Sequence, residues 1–219
     1  MVMFFLLFIM LLFVFPYLLL PFGAFFVILI MFLPFKFTFD SIVNLIAVPS
    51  QIYKIATNPD LRKNHGLEHA TANILEKEYG YQNLAGYARE NGFYIIGAHD
   101  VWEVEQAARK GLTLMKRGYD ELAVHKKCGT SITVVNFISA IIFLLLLFST
   151  GYFSIINMLI AILLANLTGP VLGEVVQKYF TTSGKVAEME IDSAYVATGN
   201  IWGAQPKVFV KTRRIPFVS

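Results

Sequence analysis

The sequence has few charged residues, since Asp, Glu, Lys and Arg make up only 15% of its 219 residues. Ordinary soluble domains carry about 25%, and a mean hydropathy of +0.60 agrees with the deficit. This composition argues against a soluble globular protein and favours an integral membrane protein. The net charge of +3 is small and no basic run suggests nucleic acid, so no nucleic-acid partner is expected.

Cysteine is almost absent as well. Cys128 stands alone, so the chain forms no internal disulfide, and a lone thiol suits the reducing side of a membrane. Basic residues are missing before Lys36 and from the turns near residues 21–23 and 151–152. Because basic residues accumulate on the cytoplasmic side, the soluble parts and both termini are predicted to lie in the cytoplasm.

Two long apolar runs predict two helical hairpins, with the lipid bilayer as partner. Residues 1–35 are too long for one span of about 20 residues and lack the basic start of a signal peptide. Pro16 and Pro21 divide this run into predicted spans 2–20 and 22–35, the second being either a short span or a re-entrant segment. Residues 131–172 predict the second hairpin, with a turn at Gly151.

The two polar segments predict a small α+β domain. Residues 36–130 start with an amphipathic stretch at 37–56, and residues 173–219 form a tail that starts with a short helix. Within them, hydrophobic periodicity and capping residues predict the following elements: helix 61–79 after Asp60 as N-cap, a polar loop, strand 92–99, helix 101–117 capped by Asp100 with Glu103 in a capping box, strand 121–125, and a tail hairpin of two alternating strands.

Strand, helix and strand between residues 92 and 125 suggest a right-handed β-α-β unit or part of a small α+β layer. The tail hairpin is expected to join these strands. The predicted fold class is therefore an integral membrane α-helical protein, with two hairpins and about four spans, carrying a small cytoplasmic α+β domain. Four spans bury little surface, so a homodimer is compatible with this architecture.

The candidate site lies on the predicted helix 61–79. His65 and His69 are four residues apart and face the same side of the helix, with Glu68 beside them. In this H-x-x-E-H order the two imidazoles can hold zinc, and the carboxylate can take a proton from water. The alternative is two core histidines that are hydrogen-bonded to backbone or carboxylate groups. Gly66 disfavours a helix, and its place here suggests a close approach by another element.

A zinc site needs at least one more ligand. His125 and Cys128 have a spacing that suits zinc, and Glu174 follows the last predicted span. If both His125 and Cys128 join the two histidines, the site is closed and structural. If only one residue joins them, an open position remains and Glu68 can act as general base.

Two motifs resemble a family of small uncharacterised bacterial membrane proteins, a domain of unknown function. These are NHGLEHAT at 64–71 and LAVHKKCGT at 122–130, followed by an apolar hairpin. The likeness covers about residues 58–182 and implies a protein of the bacterial inner membrane without an established activity. Separately, the H-x-x-E-H run is similar to the zinc motif of the inverted-motif peptidases. Those enzymes take a third ligand from a later glutamate, for which Glu174 is the nearest counterpart, although two spans intervene.

Two hypotheses follow from these residues. In the first, the protein is a membrane-anchored zinc hydrolase, a peptidase by preference, with its site facing the cytoplasm. Its substrate is a polypeptide or a lipid-linked molecule that reaches the membrane surface. In the second, the protein is a non-enzymatic scaffold or partner-binding protein, with a structural metal site or metal-free buried histidines.

Overall fold

The computed structural model describes residues 6, 9–10, 17, 19–125, 128–152, 154–197 and 206–215. The predicted first span, 2–20, lies almost wholly outside them. The elements in chain order are helix α1 (Leu19–Ala56), α2 (Pro59–Glu78), strands β1 (Ala85–Arg89) and β2 (Gly92–Ile96), helix α3 (Val101–Lys116), a 3-10 helix (Asp120–Ala123), α4 (Gly129–Thr150), α5 (Ile155–Val176), a π-helical turn (Gln177–Thr181), and strands β3 (Met189–Val196) and β4 (Lys207–Arg214).

Within the described residues, three helices are long and apolar enough to cross a membrane: α1, α4 and α5 with its π-helical turn. The amphipathic stretch 37–56 was predicted as a separate element, and this is wrong. It continues the apolar helix without a break, so α1 runs for 38 residues through Pro34 and Pro49. Apolar helices tolerate proline when neighbouring groups satisfy the freed backbone, so the predicted boundary at residue 35 falls inside a helix.

Small residues on α5 bring it close to α4. Asn157, Ala161, Ala165, Gly169 and Gly173 recur every four residues and are all buried. A side chain added at Gly169 would meet Val135, and one added at Gly173 would meet Ser131. Such stripes let helix backbones approach closely where lipid tails provide no hydrophobic driving force. The predicted hairpin of residues 131–172 is therefore present as a tightly packed pair.

The described strands form one antiparallel sheet in the order β1-β2-β4-β3. The predicted tail hairpin is confirmed, because β3 pairs with β4 and β4 pairs with β2. Of the two alternatives for residues 92–125, the β-α-β unit is wrong, because Asp120–Ala123 is a 3-10 helix and β2 pairs with β1 and β4. The other alternative, part of a small α+β layer, agrees with the structure. Strand β1 lies in the segment predicted as a polar loop; it is partly exposed and alternates weakly in polarity.

Residues 121–125 were predicted as a strand, and this is also wrong. The chain forms a 3-10 helix at Asp120–Ala123, and the backbone carbonyls nearby accept hydrogen bonds from side chains instead of a neighbouring strand. Asn73 Nδ2 donates to the carbonyls of Leu122 and Val124, and His69 contacts the carbonyl of Ala123. This segment therefore lies against α2 through side-chain hydrogen bonds.

Helices α2 and α3 pack on the four-stranded sheet and form the part of the fold that is called the soluble layer below. Helix α2 is at its centre. Its N-cap is Asn58, whose side chain accepts from the Leu61 N–H, so the expectation of Asp60 as N-cap is wrong by two residues. Asp100 caps α3 as predicted, but Glu103 accepts from the Tyr81 hydroxyl instead of completing a capping box. The shared core lies between α2, α3 and the sheet and includes Leu67, Ala70, Ile74, Leu75, Phe93, Ile95, Val104, Ala108, Leu112, Val208 and Val210.

The side-chain amide of Asn64 connects α2 to the sheet through three hydrogen bonds. The Asn64 amide donates to the carbonyls of Arg89 and Glu90 at the turn after β1, and its oxygen accepts from the Thr212 hydroxyl on β4. Asn64 is fully buried, so these bonds satisfy groups that would otherwise cost about 1–3 kcal/mol each. They set the position of α2, and of the histidines that follow, against the strands.

Replacing Gly66 by alanine is expected to destabilise the protein. An added Cβ would lie 2.5 Å from the Ser183 carbonyl oxygen and 3.3 Å from the Ala123 Cβ. This overpacking costs about 1–3 kcal/mol, against about 1 kcal/mol gained in helix propensity. Thermal unfolding of the purified protein measures the difference. Gly23→Ala on α1 is the control, because no atom of the described residues lies within 4 Å of its added Cβ, and equal stability of the two variants would contradict the prediction.

Candidate metal centre

Three side chains converge where α2 meets the start of α4. The ligand atoms of His65, His69 and Cys128 all lie within 4.8 Å of one another, and all three residues are buried. His65 and His69 come from adjacent turns of α2, and their ring centroids are 4.4 Å apart. Cys128 is the N-cap of α4 and accepts from the Thr130 N–H at 3.3 Å. The cluster therefore joins the soluble layer to an apolar helix.

Backbone carbonyls determine the tautomer of both histidines. His65 Nδ1 lies 2.9 Å from the Thr181 oxygen, and His69 Nδ1 lies 2.7 Å from the Ala123 oxygen. A carbonyl only accepts, so each Nδ1 carries the proton and each Nε2 presents a lone pair. This is the arrangement that metal-ligating histidines adopt, with the second ring nitrogen donating to an outer partner.

The imidazoles are kept neutral by burial. Desolvation lowers the pKa of His65, and it lowers that of His69 well below its ordinary value, assisted by His65 and His125 nearby. Among the described residues, His69 Nε2 is buried without a hydrogen-bond partner. A buried acceptor without a partner costs free energy that a bound cation would remove, so the residues present fit a metal ion.

Glu68 approaches the same point. Its Oε2 lies 3.8 Å from His65 Nε2 and 3.7 Å from His69 Nε2, which is too far for a hydrogen bond. Burial raises the pKa of the Glu68 carboxyl to about 8. Gly86 on β1 makes room for this carboxyl, because any side chain there would collide with it. Without a cation the protonated carboxyl is therefore favoured, and a cation bound beside the two Nε2 lone pairs would favour the carboxylate instead.

The Cys128 thiol completes the set. Its Sγ lies 3.5 Å from His65 Nε2. Burial raises the pKa of this thiol, with a further contribution from Glu68, so the protonated form is favoured without a cation. Two imidazoles and a thiolate are ligands that zinc prefers, and three protein ligands leave a fourth position open. Of the third ligands proposed from the sequence, Cys128 is the one that the structure brings to the histidines.

His125 and Glu174 lie elsewhere. The His125 ring nitrogen Nε2 is 3.3 Å from Glu76 Oε2, and its backbone N–H donates to Gln177 Oε1. Its ring centroid is 5.9 Å from that of His69. Glu174 is exposed on α5 and lines an open groove of about 1350 Å³ together with Glu76 and His125. The structure therefore does not bring either residue into the cluster.

The groups that orient the two histidines could not be predicted from the sequence. The carbonyls of Thr181 and Ala123 are backbone groups, which leave no sequence signal. Thr181 ends the π-helical turn, a local widening that often occurs at functional sites. Gln177, which is fully buried in that turn and donates to Ser131, has one detectable signal: an uncharged polar side chain in the last turn of an apolar helix.

The described residues thus form a protein with three long apolar helices and a small antiparallel sheet. A His/His/Cys cluster is buried between the soluble layer and one of these helices. The chain belongs to the family described as Domain of unknown function (DUF6391), whose model matches residues 60–194. This match confirms the expectation of an uncharacterised family. It contains all four residues of the candidate site.

The chain is also similar to an uncharacterized protein of Picosynechococcus sp. The two are 29% identical over 89 residues, which cover 36% of this chain and 43% of the relative. The matched part thus spans less than half of that relative. No solved structure matches the chain.

Proposed function

We propose that the protein is a membrane-anchored, zinc-dependent hydrolase that cleaves peptide bonds. The observation that supports this proposal best is the convergence of two Nε2 lone pairs, a thiol and a carboxyl at one buried point. His65, His69 and Cys128 would hold zinc. A bound zinc ion supplies Lewis acidity, which polarises a carbonyl and makes water more acidic.

The protein's own residues would carry the proton transfers. With a cation beside it to favour the carboxylate over the carboxyl that burial favours, Glu68 would take a proton from the attacking water and deliver it to the leaving amine. The Thr181 and Ala123 carbonyls keep both imidazoles in the tautomer that presents Nε2. Gly86 leaves the Glu68 side chain the room that this position needs.

The membrane placement is part of the same proposal. Helices α1, α4 and α5 are compatible with insertion, and apart from Lys36 inside α1 every Lys and Arg lies in residues 54–127 or after 173. The positive-inside rule supports a site on the cytoplasmic face, and the membrane in this proposal is the bacterial inner membrane. A polypeptide or a lipid-linked molecule at the membrane surface could reach it there.

One geometric observation favours a second candidate function. Glu68 Oε2 is nearly equidistant from the two Nε2 atoms, as a fourth ligand would be. A closed site of His65, Glu68, His69 and Cys128 would be structural and would attach α2 to the start of α4. The protein would then act as a scaffold or a partner-binding unit.

Hydrolysis that depends on zinc tests the proposed function. The full-length protein in lipid nanodiscs is incubated with fluorescence-quenched peptides of mixed sequence. We expect cleavage that a zinc chelator stops and that added zinc restores. Cleavage that is indifferent to the chelator would point to a contaminant, and no cleavage by protein that holds zinc would favour the structural site.

A further inference from the structure

A second cavity lies between the three apolar helices. It has a volume of about 420 Å³, which is in the range of small-ligand sites. Ser139 and Asn166 on its wall stand at the midpoints of the 22-residue helices α4 and α5. If these helices cross a bilayer as proposed above, the cavity lies near the middle of the hydrocarbon layer.

The walls of this cavity are unusually polar for that depth. Six of its eleven lining residues carry polar side chains: Asp40, Ser41 and Asn44 from α1, Asn136 and Ser139 from α4, and Asn166 from α5. Polar groups between apolar helices are costly, and they mark functional sites when they face a cavity. The tight packing of α4 on α5 by small residues leaves these groups on the side that faces α1.

Ser139 provides an independent observation. It is 6% exposed, and its Oγ has no hydrogen-bond partner among the described residues. Other hydroxyls on these helices, such as that of Thr168, donate to the carbonyl four residues earlier. Asn136 is exposed, and its side chain has no hydrogen bond within the described part of the chain. These groups lack the partners that neighbouring side chains of the same helices have.

The charge on the walls selects the kind of ligand. Asp40 is the one charged residue in the lining, and Lys36, which is one turn earlier on α1 and outside the lining, offsets its charge at 2.5 Å. The remaining amides and hydroxyls can both donate and accept hydrogen bonds, although Asn166 Nδ2 already donates to the Ile162 carbonyl. A peptide group has the same pair of functions, but inside a helix it is already satisfied. An unwound stretch of polypeptide presents free peptide groups, and the midpoint position is far from the level of lipid headgroups.

We propose that this cavity binds the unwound backbone of a polypeptide segment that lies within the bilayer. The proposal rests on the proposed peptidase function, for which it names the substrate class: helices of other membrane proteins that contain a break. Asn136 is eight residues beyond Cys128 on α4, an axial separation of about 12 Å at 1.5 Å per residue. About four extended residues span that distance, so a segment bound in the cavity has the length to reach the metal cluster.

Binding to a defined peptide tests this inference without any hydrolysis. The probe is a fluorescent leucine peptide of about 20 residues with an Asn-Pro pair at its centre, added to zinc-stripped protein in nanodiscs. Fluorescence anisotropy measures its affinity for the native protein, for the double variant Asn136→Leu/Ser139→Ala, and for Thr168→Val. The last variant removes a hydroxyl from α5 outside the cavity and is the matched control.

We expect the double variant to bind the probe about tenfold more weakly, because hydrogen bonds to the backbone are lost, while Thr168→Val binds it normally. An unbroken leucine helix should bind weakly to all three proteins. Equal binding by the double variant, equal binding of the unbroken helix, or displacement of the probe by diacylglycerol would overturn the inference. Zinc-dependent cleavage of soluble peptides without probe binding would leave the proposed function standing. Probe binding without any cleavage would support the inference about the cavity and contradict the proposed function.

Discussion

Zinc is expected to be lost when His69 is replaced by asparagine. The native protein, purified in detergent without chelators, should contain about one zinc per chain. An asparagine amide can still donate to the Ala123 carbonyl but places no atom where Nε2 stands. Because changes to outer-shell partners alone cost about 10–100-fold in affinity, we expect the loss of a ligand to exceed 100-fold. Elemental analysis of the two proteins measures this.

The same variant separates metal binding from folding. Adding zinc to chelator-stripped native protein should raise the free energy of unfolding, by about 4 kcal/mol when free zinc is 1,000-fold above its dissociation constant. His69→Asn should unfold like the stripped native protein and gain nothing from zinc. His99→Ala, at an exposed histidine, is the control and should keep both the metal and the gain. Native protein without zinc, or a variant that retains it, would favour two metal-free core histidines.

Hydrolysis is expected to fall by about 10²–10⁴-fold when Glu68 is replaced by glutamine, while zinc stays bound. Glutamine has nearly the same shape as glutamate and fits the space left by Gly86, but it cannot take a proton from water. The change in turnover of the quenched peptides and the zinc content of the same preparation are measured together. Glu76→Gln is the control, because Glu76 lies beside His125 outside the cluster.

The paired measurement decides between the two candidate functions. If Glu68→Gln loses its zinc as well, Glu68 is a ligand and the site is the closed, structural one. If it keeps both zinc and full activity, the carboxyl has no part in catalysis. Only loss of turnover with retention of zinc supports Glu68 as the general base.

The candidate site was predictable where it depends on one helix. The spacing of His65, Glu68 and His69 determines which way they face as soon as the segment is helical, and all three are buried as expected. The third ligand depends on how α4 starts relative to α2, which no local pattern encodes. The sequence favoured His125 and Cys128 over Glu174 by their spacing but could not choose between those two, and only the fold brings Cys128 to the histidines.

The structure of the soluble layer was likewise only partly predictable from the sequence. Strand β2 was predictable from its aromatic and β-branched residues, and the tail hairpin from its alternation. The pairing of β2 with β4 was not, because it joins distant parts of the chain. The misassigned strand 121–125 is too short for its alternation to be decisive. Its carbonyls are bound by Asn73 and His69, which are more than 45 residues earlier, so tertiary contacts decided its conformation.

The sheet order has a consequence for how the protein is made. Strand β4 is inserted between β2 and β3, and it is the last described strand to leave the ribosome. The Thr181 carbonyl that orients His65 also follows α4 and α5 in the chain. Synthesis must therefore have passed both apolar helices before the histidines gain their final surroundings. If the protein binds zinc as proposed, metal loading in the cell would then report translation past Thr181, because a shorter chain lacks the carbonyl that orients His65.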